Sequence, residues 1–310
     1  MDDPLHTLDT LPASGRGGIL AIGNFDGVHR GHQAVIAAAR KVADTQGAPL
    51  GVMVFDPHPR VFFAPDTPPL RLTQLQTRAR LLAEAGADFT LALPFTAEMA
   101  ARTPAQFIDD ILRDALDVRG VVVGHDFRFG KGRAGTTDDL AAAGGFEVIT
   151  IDAQTPDEKD APPYSSSAIR AALQAGRPRE AAAQLARTWT IEGVVETGDR
   201  RGQTIGFPTA NIALGDYLRP AFGVYAVRVE TGDGTRLEGV ANLGLRPTFG
   251  TDAPRLEVHL FDFDGDLYGQ ALSVGLIDFI RPEKKFDGLE ALKAQIAEDA
   301  TAARQILARA

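Results

Sequence analysis

Residues 18–37 read Gly18-Ile19-Leu20-Ala21-Ile22-Gly23-Asn24-Phe25-Asp26-Gly27-Val28-His29-Arg30-Gly31-His32-Gln33-Ala34-Val35-Ile36-Ala37. The short apolar run Ile19–Ile22 predicts a buried parallel strand. Gly23, Gly27 and Gly31 break that run into a turn-rich loop, and from Gln33 an alanine-rich pattern predicts a helix to about Gln46. Strand, glycine loop and helix together present free backbone N–H groups and a helix dipole to an anion. His29 and His32, three residues apart, come to one side of the helix mouth. No Gly-Lys-Ser/Thr follows, which excludes a P-loop, and the three-glycine dinucleotide fingerprint is also missing. The stretch points to phosphate chemistry with imidazole donors, against the plainer reading of two exposed loop histidines or one buried histidine satisfied by backbone.

Outward from this unit, apolar runs at Leu50–Phe55, Asp88–Leu93, Gly120–Gly124 and Phe146–Ile151 predict four more strands. Helical patterns at residues 72–86 and from Thr103-Pro104 to about Leu116 lie between them; an N-cap residue followed by proline is a favourable helix start. Strands alternating with helices predict a doubly wound parallel sheet, whose ligands sit beyond the carboxyl ends of the strands. The His29/His32 loop, the turn Asp56-Pro57-His58-Pro59 and the loop after Val123 all fall at that edge. Two helices are expected over Ser165–Gly176 and on to about Arg187. From Thr188 to Ile280 the period becomes two, with strand candidates at 188–197, 222–230, 236–243, 255–263 and 270–280. Asp233-Gly234 and Asp264-Gly265 supply hairpin turns, and short antiparallel strands at this spacing predict a small barrel. Residues 287–308 predict a closing amphipathic helix. The domains expected are 1–186 and 187–310.

At 310 residues the chain has length for two domains. With 44% hydrophobic and 24% charged residues it has an ordinary globular composition. The formal net charge of −9 argues against a general nucleic-acid binder. Having no cysteine, it has no disulfide, thiolate metal site or cysteine nucleophile. No apolar stretch approaches the roughly 20 residues of a membrane helix, and the polar, proline-broken start lacks a signal-peptide core. A cytoplasmic enzyme without a membrane partner is expected, and a homo-oligomer remains open.

Four further constellations carry possible chemistry. Gly124 to Gly135 holds His125, Arg128, Lys131 and Arg133 among four glycines, with Phe127 and Phe129 able to wall a planar ring. Tyr164-Ser165-Ser166-Ser167-Ala168-Ile169-Arg170 is a serine-rich helix start that suits a polyphosphate, or else Ser165 is an ordinary N-cap and Arg170 is solvated. Gly198-Asp199-Arg200-Arg201-Gly202-Gln203 is a basic glycine loop leading into Gly206-Phe207-Pro208-Thr209-Ala210-Asn211. Thr209 and Asn211 oxygens can share a magnesium ion, or bond local backbone in a turn. On the strand Arg255–Phe263, Arg255, Glu257 and His259 share one face. Glu257 there is either a general base or half of a cross-strand ion pair.

With these residues in hand, the chain resembles the prokaryotic bifunctional riboflavin kinase/FMN adenylyltransferase (FAD synthetase) family over about Gly18 to Ile306. The nucleotidylyltransferase His-x-Gly-His motif stands as His29-Arg30-Gly31-His32, preceded by Gly23-Asn24-Phe25-Asp26-Gly27-Val28. Phe55-Asp56-Pro57-His58-Pro59-Arg60 and Gly124–Gly135 also match, with Asp126 where asparagine is frequent. The Ser-Ser-Thr-x-Ile-Arg motif appears as Ser165 to Arg170, with Ser167 in place of threonine. Gly206 to Asn211 is the riboflavin-kinase signature, with Ile205 where leucine is common. Asn242-Leu243-Gly244, Arg246-Pro247-Thr248 and Glu257-Val258-His259-Leu260 fit the same barrel.

The resemblance implies ATP-dependent phosphorylation of riboflavin to FMN in the barrel, then adenylylation of FMN by a second ATP to FAD and pyrophosphate. It implies Glu257 as base, Thr209 and Asn211 on Mg-ATP, and His29 and His32 at the adenylyl transfer. Gly23, Phe25, Asp26, Gly27, Gly202, Asp126, Arg128, Ser165, Ser166 and Arg170 are implied phosphate or nucleotide contacts. Pro57, His58, Pro59, Phe62, Phe127, Arg281 and Phe286 are implied flavin contacts. FMN and FAD are then substrate and product, not prosthetic groups. Two competitors stand beside this reading: a monofunctional riboflavin kinase with a non-catalytic first module, and a nucleotidylyltransferase for another phosphate ester fused to an unrelated barrel.

Overall fold

The structure is a computed structural model that describes residues 4–156, 161–196, 207–245 and 254–310. Its chain divides into two compact units, 1–67 with 73–165 and 68–72 with 166–310.

The first unit is built on a six-stranded, wholly parallel sheet. Its strands are β1 (Leu5–His6), β2 (Ile19–Ile22), β3 (Leu50–Asp56), β4 (Phe89–Pro94), β5 (Gly120–Gly124) and β6 (Glu147–Ile151), in the order β1-β4-β3-β2-β5-β6. All four residues of β2 are buried, because a parallel strand flanked by helices meets apolar side chains on both faces. Leu20 and Ile22 pack with Phe107, Ile108, Ile111 and Leu112 on one side. Ile19 and Ala21 face Ile36, Ala39 and Ala43 of α1 (Arg30–Gln46) on the other. The expected doubly wound architecture is present. Chain order reverses between β2 and β5, so the crevice beyond their carboxyl ends is the place where this topology leaves room for a ligand.

The remaining helices of this unit are α2 (Pro59–Phe63), α3 (Leu75–Glu84), α4 (Ala97–Ala101), α5 (Pro104–Gln106) and α6 (Thr137–Ala143). Beyond α5 the helix widens into a π-helical stretch, Phe107–Ala115, a geometry that clusters at functional sites. Four elements were not expected: β1, α2, where a rigid turn was, α4 and α6. Thr136 is the N-cap of α6, and its hydroxyl and amide donate in return to the Asp139 carboxylate, holding it below the usual carboxylate range.

The second unit is an antiparallel sheet of β7 (Thr190–Val194), β8 (Ala210–Ala213), β9 (Gly223–Thr231), β10 (Arg236–Leu245), β11 (Pro254–Leu260) and β12 (Ala271–Pro282). Their order is β7-β12-β9-β10-β11-β8. A bridge in which Glu196 N–H donates to Asn211 O at 2.9 Å brings the two outer strands together, so the sheet closes toward a barrel. Strand β8 was not expected, because four residues after a proline carry too little alternation to read. Alternation on β11 is strict: Leu256, Val258 and Leu260 are buried in the barrel interior, while Arg255, Glu257 and His259 point out. The closing helix, α9 (Leu289–Leu307), lays Ala303 and Leu307 on the outer face against Val224, Ala226, Val240 and Phe261.

By packing, α7 (Ser166–Gln174) and α8 (Pro178–Leu185), which a boundary at 186 assigns to the first domain, share the barrel's core through Ile169, Leu173, Ala181 and Leu185. Leu72 is buried in the same core, and its carbonyl accepts from the Trp189 indole at 2.8 Å. Among the described residues no helix is long and apolar enough to cross a membrane.

Candidate functional site

In the first unit, the loop after β2 holds three residues at positive φ: Phe25 (49°), Gly27 (87°) and Val28 (43°). A β-branched residue at positive φ is strained, and such strain persists only where surrounding contacts enforce it. Here the enforcement is burial of Phe25 and Val28 together with a polar core under the loop. The Asp26 carboxylate, 2% exposed, accepts from Thr73 N–H at 3.0 Å and Thr73 Oγ1 at 3.2 Å. It also faces Arg78 Nη2 at 3.6 Å, and Arg78 Nη1 donates to Asn24 O at 3.1 Å. Asp26, Phe25 and Gly27 were candidate phosphate contacts; all three are buried, with Asp26 turned towards Thr73 and Arg78. Asp26→Ala would remove a buried carboxylate that faces the Arg78 guanidinium and accepts from Thr73, at a cost of about 3–5 kcal/mol. Far-UV circular dichroism during urea titration reads that loss.

His29 is the N-cap of α1, and its Nδ1 accepts the His32 N–H at 3.3 Å. A ring nitrogen that accepts is unprotonated, so in the neutral imidazole the proton sits on Nε2, which becomes a donor. The two imidazoles stack with centroids 3.6 Å apart and planes 21° from parallel. Gly31 keeps this pair close to the chain, since a Cβ there would stand 3.1 Å from His29 Cε1 and Nδ1 and 3.6 Å from Tyr164 Cβ. Tyr164-Ser165 therefore reaches the mouth of α1. Ser166 and Arg170 lie in α7 of the second unit, where Arg170 Nε donates to Leu70 O at 2.7 Å.

Three loops at the carboxyl edge of the parallel sheet line one cavity of about 640 Å³. Gly23 and Asn24 come from the loop after β2, His58 and Pro59 from the end of β3, and Asp126, Phe127 and Arg128 from the loop after β5. Expected site residues meet here as the strand order requires. Phe127 and Phe129 stack at 5.8 Å and open a chain of rings through Phe107, Phe55 and Phe95 to Phe62 and Phe63. Gly135 permits the close fold of this loop, since a Cβ would meet the Phe129 ring at 2.8 Å. Arg60, Arg102, Arg128 and Arg133 add cationic donors to the walls. Pro57 and Phe62 do not line the cavity, whereas Phe63, Phe95 and Arg102 do. In the five-residue helix α2, Phe62 and Phe63 point about 100° apart, which a turn assignment could not anticipate.

In the second unit, strand register aligns Asn211, Glu257, Asn242, Val224 and Arg281 as successive cross-strand neighbours. Cross-strand neighbours share a face, and this is the outer face beneath α9. Glu257, Asn242, Thr209, Arg281 and Phe286 line a cavity of about 400 Å³, roofed by Leu292 and Ile296 of α9. Thr209 also lines a neighbouring cavity of about 330 Å³ with Pro208, Asp264, Asp266 and Tyr268. Asn211 is 5% exposed and its Nδ2 donates to Thr209 O at 3.3 Å. Gly202, the loop 198–203 and Arg246 to Thr248 lie outside the described residues.

Arg281 makes a two-pronged contact with Asp299 of α9, Nε to Oδ1 at 2.8 Å and Nη2 to Oδ2 at 2.7 Å. Sequence reasoning missed Asp299, although a carboxylate on the same helix stripe as Ile296 and Ala303 is a detectable signal. Asp299→Ala is expected to cost about 2 kcal/mol, below the range for a fully buried pair because the Arg281 side chain keeps 20% exposure. The fluorescence of Trp189, the single tryptophan, reports that unit alone.

Residues 11–167 match the family described as FAD synthetase, and residues 185–307 match riboflavin kinase. A bifunctional riboflavin kinase/FMN adenylyltransferase of Escherichia coli is 43% identical over 97% of this chain and 96% of its own length. The chain belongs to the bifunctional riboflavin kinase/FMN adenylyltransferase family. Members from Pseudomonas fluorescens, at 42% over 97% of this chain and 96% of that protein, and Bacillus subtilis, at 39% over 91% and 90%, carry the same name. A crystal structure described as a macrolide-efflux protein from Streptococcus pneumoniae superposes with a TM-score of 0.86 at 31% identity, covering 97% of this chain and 99% of that one. Riboflavin kinase/FMN adenylyltransferase membership assigns each half of the chain to its own reaction, so a first half that only binds is not favoured.

Proposed function

We propose that this chain makes FAD in two steps at two separate centres, and that the residues gathered in its cavities carry them out. Both steps use ATP and a flavin. The observation that supports the kinase assignment most is that Glu257 and Thr209 line one cavity, while Thr209 also lines the next. Riboflavin occupies the larger, part-apolar cavity under α9, and ATP the neighbouring one, with Thr209 at the junction. The Glu257 carboxylate takes the proton of the 5′-hydroxyl, the freed oxygen bonds to the γ-phosphorus, and the bond to the leaving ADP oxygen breaks. Such a transfer depends on positioning and charge neutralisation more than on covalent help.

The Thr209 hydroxyl and the Asn211 carboxamide oxygen are hard donors, and the Asn211 amide nitrogen already faces Thr209 O, which leaves its oxygen for a ligand. This set fits magnesium, which prefers oxygen ligands and retains waters and phosphates. Bound with the nucleotide, magnesium would supply charge neutralisation on the phosphates.

For the second step, a phosphate oxygen of FMN bonds to the α-phosphorus of another ATP and pyrophosphate leaves. No side-chain nucleophile is needed. His29 Nε2–H, His32 and the N-terminus of α1 stabilise the charge on the α-phosphate. The phenylalanine-walled cavity takes the isoalloxazine ring, with Arg128 and neighbouring arginines near the phosphates. Because both steps consume ATP, we place the enzyme in the cytoplasm. Incubation with riboflavin and Mg-ATP, followed by chromatography of the flavins, tests the whole reading. FAD is the expected end product; FMN alone refutes the adenylyl centre, and unchanged riboflavin refutes both.

A further inference from the structure

We infer that His259 is a positioning residue for the kinase reaction, acting on the nucleotide through the backbone on either side of Thr209. This rests on the reading of Thr209 as a nucleotide contact. Strand β8 pairs with β11 from Arg255↔Ala213 to Val258↔Ala210 and no further. Pro208 has no N–H to continue the ladder, so backbone pairing cannot hold the residues just before it. A side chain does so instead: His259 Nδ1 lies 2.9 Å from Pro208 O. A carbonyl only accepts, so Nδ1 carries the proton and donates. The imidazole is itself held edge-on between Phe207, at 5.3 Å, and Phe261, at 6.1 Å.

Pro208 O belongs to the planar peptide group that ends at Thr209 N. Fixing this carbonyl therefore fixes the plane on the amino side of Thr209. On the carboxyl side, Thr209 O accepts from Asn211 Nδ2 at 3.3 Å. Both peptide planes that orient Thr209 are thus held by side chains from the same barrel face, and Thr209 lines both cavities. His259 sits two residues from Glu257, so one strand presents the base and aims the residue that meets the nucleotide.

The test uses the full chain with three substitutions at His259 and one at Thr209. The Asn carboxamide nitrogen can occupy the place of Nδ1, whereas Gln reaches the place of Nε2. His259→Ala and His259→Gln are expected to raise KM for Mg-ATP in riboflavin phosphorylation by about 10- to 100-fold, the range for a misplaced contact. His259→Asn is expected to restore KM to near the starting value. Calorimetry with Mg-ADP should show the same ranking in affinity without turnover. In ¹⁵N-labelled protein, His259 should be Nδ1-protonated. An Nε2-protonated ring, unchanged Mg-ADP affinity in His259→Ala, or an Asn variant as weak as Ala would each overturn the inference. Thr209→Ala separates the two layers. If it leaves Mg-ADP affinity intact, the nucleotide reading of Thr209 is wrong; if it weakens binding while the His259 variants do not, only the role of His259 falls.

Discussion

Glu257→Gln is expected to lower riboflavin phosphorylation by about 10³-fold, within the range for loss of a general base, while FMN added to the same protein is still converted to FAD. Gln keeps the size and most of the hydrogen-bonding capacity of Glu, so the change isolates proton acceptance. Its neighbours across the ladder, Asn211 and Asn242, are both carboxamides that can turn to face an amide. A packing defect is therefore not expected, and Trp189 fluorescence should be unaltered. Product chromatography from riboflavin and from FMN, run in parallel, reads the two reactions separately. Equal loss of both would sink the assignment of the steps to different units. A loss under about tenfold would mean that the hydroxyl proton leaves by another route, as a loose transition state that needs little base assistance would allow.

The two centres were legible in the sequence to different depths, for a physical reason. A parallel strand, a glycine loop and a helix are contiguous, so Ile19 to Gln46 could be read in one window, and the structure differs only in starting the helix at Arg30 instead of Gln33, with His29 as its N-cap. The crevice followed from strand alternation alone, because its location is set by strand order. What contiguous reading could not supply was rotation and long-range pairing. Phe63 in place of Phe62 turns on a single short helix. Asp26 looked like a ligand for phosphate because its partners, Thr73 and Arg78, stand 47 and 52 positions further on. Strand β8 was hidden because its partner β11 follows it by some forty positions. Once that pairing is known, Asn211, Glu257 and Asn242 become one row. Asp299 and the helices α7 and α8 show the same limit, since what they pack against is remote in sequence.

His29→Asn is expected to lower FAD formation from FMN by about 10²–10³-fold, the range for removing one donor aimed at developing charge, and to leave riboflavin phosphorylation unchanged. Asn is the informative substitute because the cap and the proposed phosphate contact of His29 use separate nitrogens. Its Nδ1 caps α1 by accepting the His32 N–H, and Asn is among the best N-cap residues. The cap, worth about 1 kcal/mol, is kept while the Nε2 donor is lost. His29→Ala removes both, so the difference between the two variants isolates the cap, and only the Ala variant should lose thermal stability. His32→Ala should produce a loss of the same order as His29→Asn. The double variant should lose much less than the product of the two single losses if, as proposed, the stacked rings 3.6 Å apart act on one phosphate as a unit. Full FAD yield from His29→Asn would show that the imidazole serves the helix and not the reaction. Independent, multiplicative losses would show that the histidines act on different groups of the substrate.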